Sequence, residues 1–173
     1  MHKKVTIWRS AVLLAIVAAV AIIAVQSAAG GGAGAVIVRG DQLIAGSQSC
    51  ANAQPDTYRM AGDLVGCWYT VTFNVIQAND NPGGHFKASG TEHFVGCLNT
   101  NGSATCDPGE PSGTFDTTFV FTAKLAPTGD EIHGRCHHPI VGGTGVFAAA
   151  SGGISFKDIP SEGRFPYHGE IKL

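Results

Sequence analysis

From Leu64 to the C-terminus the chain is a succession of segments rich in β-branched and aromatic residues, cut at intervals by Gly, Pro and Asn. LVGCWYTVTFNVI at Leu64–Ile76 ends in the turn cluster ANDNPGG, and HFKASGTEHFVGCL follows at His85–Leu98. GTFDTTFVFTAKLA at Gly113–Ala126 stops at the Pro127–Asp130 turn, and EIHGRCHHPIV then runs from Glu131 to Val141. GVFAAASGGISFKDI and RFPYHGEIKL flank a turn at Pro160–Gly163. No apolar period of helical length interrupts this order after Ala35, so the pattern predicts an all-β chain. Segments adjacent in sequence and joined by tight turns pair as an antiparallel meander. A meander that closes on itself loses its exposed edges, which favours a barrel over an open sheet. An immunoglobulin-like sandwich is disfavoured, because Cys67 and Trp68 are neighbours rather than partners on different strands.

The N-terminus is of another kind. Lys3, Lys4 and Arg9 precede an uncharged run from Ala11 to Val25, the layout of a secretory signal peptide with its signal helix, read as residues 1–29. The run is shorter than the roughly 20 residues a membrane-spanning helix needs. Small residues stand at the minus-three and minus-one positions of two cuts, after Ala29 and after Ala35. An uncleaved anchor is the competing reading, since GGGAGAVIV prolongs the apolar stretch; a lipobox before Cys50 is lacking. Removal of 29 from 173 residues leaves 144, one ordinary domain. Residues 30–56 read as a Gly-rich linker and N-terminal segment with a short strand at Asp41–Ala45, and residues 57–173 as the barrel domain. The leader holds three of the 11 Lys and Arg and none of the 13 Asp and Glu, so the remainder carries 8 − 13 = −5. That balance speaks against nucleic acid or an anionic membrane as partner. The expected location is extracytoplasmic.

All five cysteines, at 50, 67, 97, 106 and 136, follow the leader, so disulfides are the first expectation. Cys97 and Cys106 enclose LNTNGSAT and would staple the ends of a hairpin connection. Among Cys50, Cys67 and Cys136 one thiol stays unpaired or pairs between chains, which leaves self-association open. CxxC and CxxH spacings are lacking, so a structural zinc has little support.

At Pro139–Gly152 the chain reads PIVGGTGVFAAASG, which resembles the VGGTGxFxxAxG motif of dirigent proteins and the allene oxide cyclase barrels, and of short secreted bacterial proteins with the same stretch. The motif makes sense as a backbone device: Gly142, Gly143 and Gly145 allow a sharp connection around Thr144, and Phe147 and Ala150 return the chain to the core. A phosphate-binding loop is excluded because no Lys-Ser/Thr pair follows. The resemblance implies an eight-stranded antiparallel barrel around an apolar cavity, used by plant relatives to cyclise an unstable epoxide or to orient coupling radicals. Their guiding residues lie outside the shared motif, and none is carried over here.

Simple alternation sorts the strand side chains into two faces. It sends Cys67, Tyr69, Val71 and Phe73 inward from the first long segment, and Phe86, Ala88, Gly90, Glu92 and Phe94 from the second. It does the same for Phe115, Thr117, Phe119, Phe121 and Leu125, and for Ile132, Gly134, Cys136, His138 and Ile140. Glu92 stands out, since an acid among phenylalanines must find a partner or keep its proton. Fixing the barrel through backbone or His138 is the plainest role for Glu92, with ligand anchoring and acid/base catalysis as sharper ones. The expected ligand-lining set is Tyr69, Phe73, Glu92, Phe94, Phe119, Phe121 and His138. Cys67 and Cys136, both assigned inward, suggest a cross-barrel disulfide. His133 and His137 with Glu131 form a candidate metal set on the outer face, outweighed by the ordinary reading of exposed polar strand residues. No cofactor or metal is expected.

Three functions follow: a barrel that holds a small apolar molecule without transforming it, a cyclase or isomerase using Glu92 with Tyr69 or His138, and a module whose interior is filled by Phe73, Phe94, Phe119 and Phe121. A cavity below about 300 Å³ would favour the filled module.

Overall fold

A computed structural model describes residues 34–44, 50, 57–77 and 83–173. The strands are β1 (Ala35–Ile44), β2 (Thr57–Gly62), β3 (Leu64–Gln77), β4 (His85–Leu98), β5 (Ser112–Leu125), β6 (Glu131–Gly145), β7 (Ser151–Asp158) and β8 (Arg164–Lys172). Each pairs antiparallel with the next, and β1 pairs with β8 over Ala35–Leu43, closing the barrel. The expected all-β meander and its closure are therefore present; the signal helix lies outside the described residues. The stretch read as linker supplies a barrel strand instead: β1 spans ten residues and closes the sheet, where only a short strand at Asp41–Ala45 was expected. Val36, Ile37 and Val38 look like leader remnant behind the glycines, but alternating burial along β1 puts Val38 in the core.

Alternation orders β4 and β5 as the sequence predicts. Ala88, Glu92 and Phe94 on β4, and Phe115, Thr117 and Phe119 on β5, are buried on the inner face. In β3 and β6 extra residues disturb it. The β3–β4 register skips Val71 and Ile76, so Trp68 and Thr70 sit opposite the inward Phe94 and Glu92, and Phe73 opposite Gly90. Cys67 and Tyr69 accordingly lie on the outer face with their register partners Val95 and His93, and Val71 is exposed, against the inward assignment of all three. Likewise Ile132 and Val141 are extra residues in β6. Ile132 is exposed rather than inward, and its neighbour Glu131 faces the interior. Bulges of this kind change which face the following residues occupy.

The interior is filled at one end of the barrel. Phe94 stacks on Phe115 with centroids 4.7 Å apart, and Phe147 meets Phe115 edge-on at 5.1 Å. Trp68 closes over Phe115 at 5.6 Å, with Val38, Met60, Leu64, Ile154 and Ile171 around these rings. Phe147 arrives through the glycine motif. Gly145 ends β6 at φ +60°, where a side chain is strained, and a Cβ there would also run into the Ser112 carbonyl. A Cβ on Gly143 would collide with the Phe147 and Thr114 carbonyls, whereas one on Gly142 would meet nothing. Two of the three motif glycines are thus required by the connection. Thr144 bonds across to Thr114, Oγ1 to Oγ1, at 2.9 Å, and Phe147 and Ala150 return to the core as expected.

Two disulfides brace the barrel: Cys97–Cys106, as expected, and Cys50–Cys67. The cross-barrel Cys67–Cys136 bond is not formed, because Cys67 faces outward and Cys136 inward; Cys136 is a free thiol.

Candidate functional site

Beyond the aromatic plug the interior opens into a pocket of about 290 Å³ toward the end formed by the start of β6 and the end of β7. Its walls are Phe73 from β3, Phe119 and Phe121 from β5, Phe156 from β7, Phe165 from β8 and Tyr58 from β2. Polar groups converge on it from β4, β6 and β7.

The first group is built around Glu92, only 8 % exposed. Register places Thr70 of β3 and Thr117 of β5 at its flanks. Trp68 Nε1 donates to Oε2 at 2.7 Å, and Thr70 Oγ1 donates to Oε1 at 3.2 Å. His138 Nε2 lies 2.7 Å from the same Oε2. A carboxylate only accepts, so Nε2 carries the hydrogen. Three donors therefore answer the burial problem posed by Glu92 and tie its two oxygens to the wall. His138 is in turn boxed by rings, edge-on to Trp68 at 5.4 Å and to Phe156 at 4.7 Å, with Phe119 at 5.8 Å. Its Nδ1 is buried with no hydrogen-bond partner among the described residues.

The second group is a carboxyl pair that alternation did not foresee. The Ile132 bulge turns Glu131 inward, toward Asp158 at the end of β7. Gly134, register partner of Asp158, makes the room: a Cβ there would stand 2.5 Å from Glu131 Oε1 and 2.5 Å from the Phe121 ring. Burial, then the charge of Asp158 and a hydrogen bond with it, push the Glu131 carboxyl up to about 7. Burial also raises Asp158, partly offset by its hydrogen bond with Glu131 and the nearby His138. Glu131 thus keeps its proton above the usual carboxylate range, with Asp158 as its hydrogen-bond partner. Glu131 Oε1 is buried without a hydrogen-bond partner among the described residues. Cys136 lies beside these acids, and burial together with Glu92 and Asp158 drives its thiol strongly upward, so it remains protonated and a poor nucleophile.

Of the expected lining residues, Phe73, Glu92, Phe119, Phe121 and His138 meet at this pocket. Phe94 belongs to the plug, and Tyr69 lies on the outer face. Glu131, Asp158, Thr70, Phe156 and Phe165 were missed as site residues. Glu131 does not join His133 and His137, which are exposed; His137 Nδ1 instead lies 3.0 Å from Ser155 Oγ. Among the described residues no three His, Cys, Asp or Glu side chains are grouped to hold a metal ion. A second depression, of about 680 Å³, is lined on β6–β8 by Arg135, His137, Lys157 and His168.

Compared with known protein families, curated proteins and solved structures, the chain matches none of them.

Proposed function

We propose that this is a secreted barrel that binds a small, mainly apolar molecule in its inner pocket and releases it unchanged. The observation that carries this reading is the division of the interior. One half is packed solid by Trp68, Phe94, Phe115 and Phe147, whereas the other is open space whose aromatic walls bear buried polar atoms without partners. At about 290 Å³ the pocket falls just under the roughly 300 Å³ at which ligand sites begin, so its volume leans to the self-filled barrel, and the binding reading rests on the buried unpartnered atoms in its wall. The pocket is nevertheless close to twice the roughly 150 Å³ that holds benzene in an apolar cavity, so a body of one or two fused rings fits. Binding without chemistry is favoured over a cyclase or isomerase because Glu92, the candidate acid/base, has its oxygens engaged by Trp68, Thr70 and His138. The two disulfides support passage through an oxidising compartment, in keeping with the leader-like N-terminus. The glycine connection and the eight antiparallel strands support kinship with the dirigent and allene oxide cyclase barrels.

Trp68 is the one tryptophan after the leader and forms part of the pocket's Glu92–His138 group, so it is a built-in reporter. A panel of indane-sized molecules should change its emission and raise the melting temperature. At a ligand concentration of about 100 Kd the stabilisation is about 2.7 kcal/mol. Phe121→Trp, which fills the pocket from its wall, should abolish both signals while leaving a cooperative melt. An absence of response across the panel would return the barrel to the self-filled module.

A further inference from the structure

The pocket is acidic and wants donors. The titratable groups that face it are Tyr58 on β2, Glu92 on β4, Glu131, Cys136 and His138 on β6, and Asp158 on β7. β1, β3, β5 and β8 bring Gln42, Thr70 and phenylalanines, and among the described residues no lysine or arginine lines the space. Independently of this charge balance, two polar atoms of the wall are buried and unpartnered: Nδ1 of His138, a side chain 4 % exposed, and Oε1 of Glu131. A carboxyl oxygen that carries no proton is a bare acceptor, so Oε1 of Glu131 calls for a donor. Buried polar atoms in folded proteins have partners as a rule, and a ligand that supplies a donor would provide one for Glu131.

We propose that the ligand of this pocket is a small amine, bound as its ammonium ion and carried on an apolar ring body. The inference rests on the reading of the pocket as a ligand site. Ammonium N–H groups match the unpaired Glu131 oxygen, and the positive charge matches the Glu131–Asp158 pair. Phe119 and Phe121 line the space, and aromatic rings attract a cation that has left water. A neutral alcohol of the same shape gains the apolar contact and at most one donated hydrogen bond without the attraction of opposite charge, and an anion adds a like charge to an acidic cavity. As pH falls through about 7, Glu131 takes up its proton, the wall loses negative charge, and the amine weakens.

The test is calorimetric titration of the purified protein with three isosteres: 2-aminoindane, 2-indanol and indane-2-carboxylate. At about pH 8 the amine should bind about tenfold or more tighter than the alcohol, and the carboxylate should be weakest of the three. The preference should shrink as the pH is lowered to about 5.5, and should fall to about threefold or less in the Glu131→Gln/Asp158→Asn double variant. Asp158→Asn alone, with its fold checked by thermal melting, should lie between. Alcohol binding as tight as amine binding overturns the amine and leaves the pocket reading standing, as does a preference that survives the double substitution. Absence of binding by all three overturns both.

Discussion

A carboxylate placed in a barrel interior is tolerable only if its neighbours donate to it, and Glu92 illustrates the rule with three donors on two oxygens. Trp68→Phe removes the 2.7 Å donor while keeping most of the packing, so chemical denaturation should show a loss of about 1–3 kcal/mol. Tyr167 makes the corresponding case at the filled end. Its hydroxyl accepts from the Leu64 N–H at 2.9 Å across the sheet, and Tyr167→Phe should cost about 1–3 kcal/mol by leaving that buried N–H unanswered. Glu131 yields a pH prediction. Its carboxyl titrates near 7 in the fold against an ordinary 4.5. A raised acid contributes stability that is fully present below the lower value and lost as pH rises through the upper one. The melting temperature should therefore fall between about pH 4.5 and 7, and Glu131→Gln should flatten the trend. Because the group is only partly shielded from water, the effect is about 1–2 kcal/mol. An unchanged slope in the variant would place the titrating group elsewhere.

Single extra residues decided which face each strand presents. In β4 and β5 strict alternation carries Ala88, Glu92 and Phe94, and Phe115, Thr117 and Phe119, inward, so these faces are readable from composition alone. In β3 and β6 the bulged residues Val71 and Ile132 are apolar and β-branched, indistinguishable in type from ladder residues. Their position depends on how the neighbouring strands pair, which no local pattern encodes, and so Tyr69 was assigned inward and Glu131 outward. The glycine connection was legible because its demand is local: Gly145 needs a left-handed backbone whatever surrounds it. Gly145→Ala should destabilise by about 1–3 kcal/mol in thermal melts, through strain at φ +60° and collision with β5. Gly142→Ala, with open space at its Cβ, should be near neutral and is the control.

At the scale of the molecule the barrel has a braced, filled half and an open half. The Cys97–Cys106 bond closes a short span at the end of the β4–β5 hairpin and Cys50–Cys67 a longer one, with sequence separations of 9 and 17. Cys50→Ser/Cys67→Ser should lower stability by about 2–4 kcal/mol, as measured by denaturant midpoint, because the unfolded chain regains the freedom of that loop. Non-reducing peptide mapping should recover both linked pairs and a single alkylatable thiol at Cys136, slower to react in the folded barrel than in the unfolded chain. What the chain's own pattern determined was the class of fold, the nearer disulfide and the buried acid at position 92, since strand period, loop closure and the cost of desolvating a charge act over a few residues. Which cysteine meets Cys67, that β1 closes the sheet, and that Glu131 and Asp158 share one cavity were decided only when eight strands took a common register. Each of those facts joins segments far apart in the chain, and their pairing follows from the whole sheet's closure rather than from any segment's own preference.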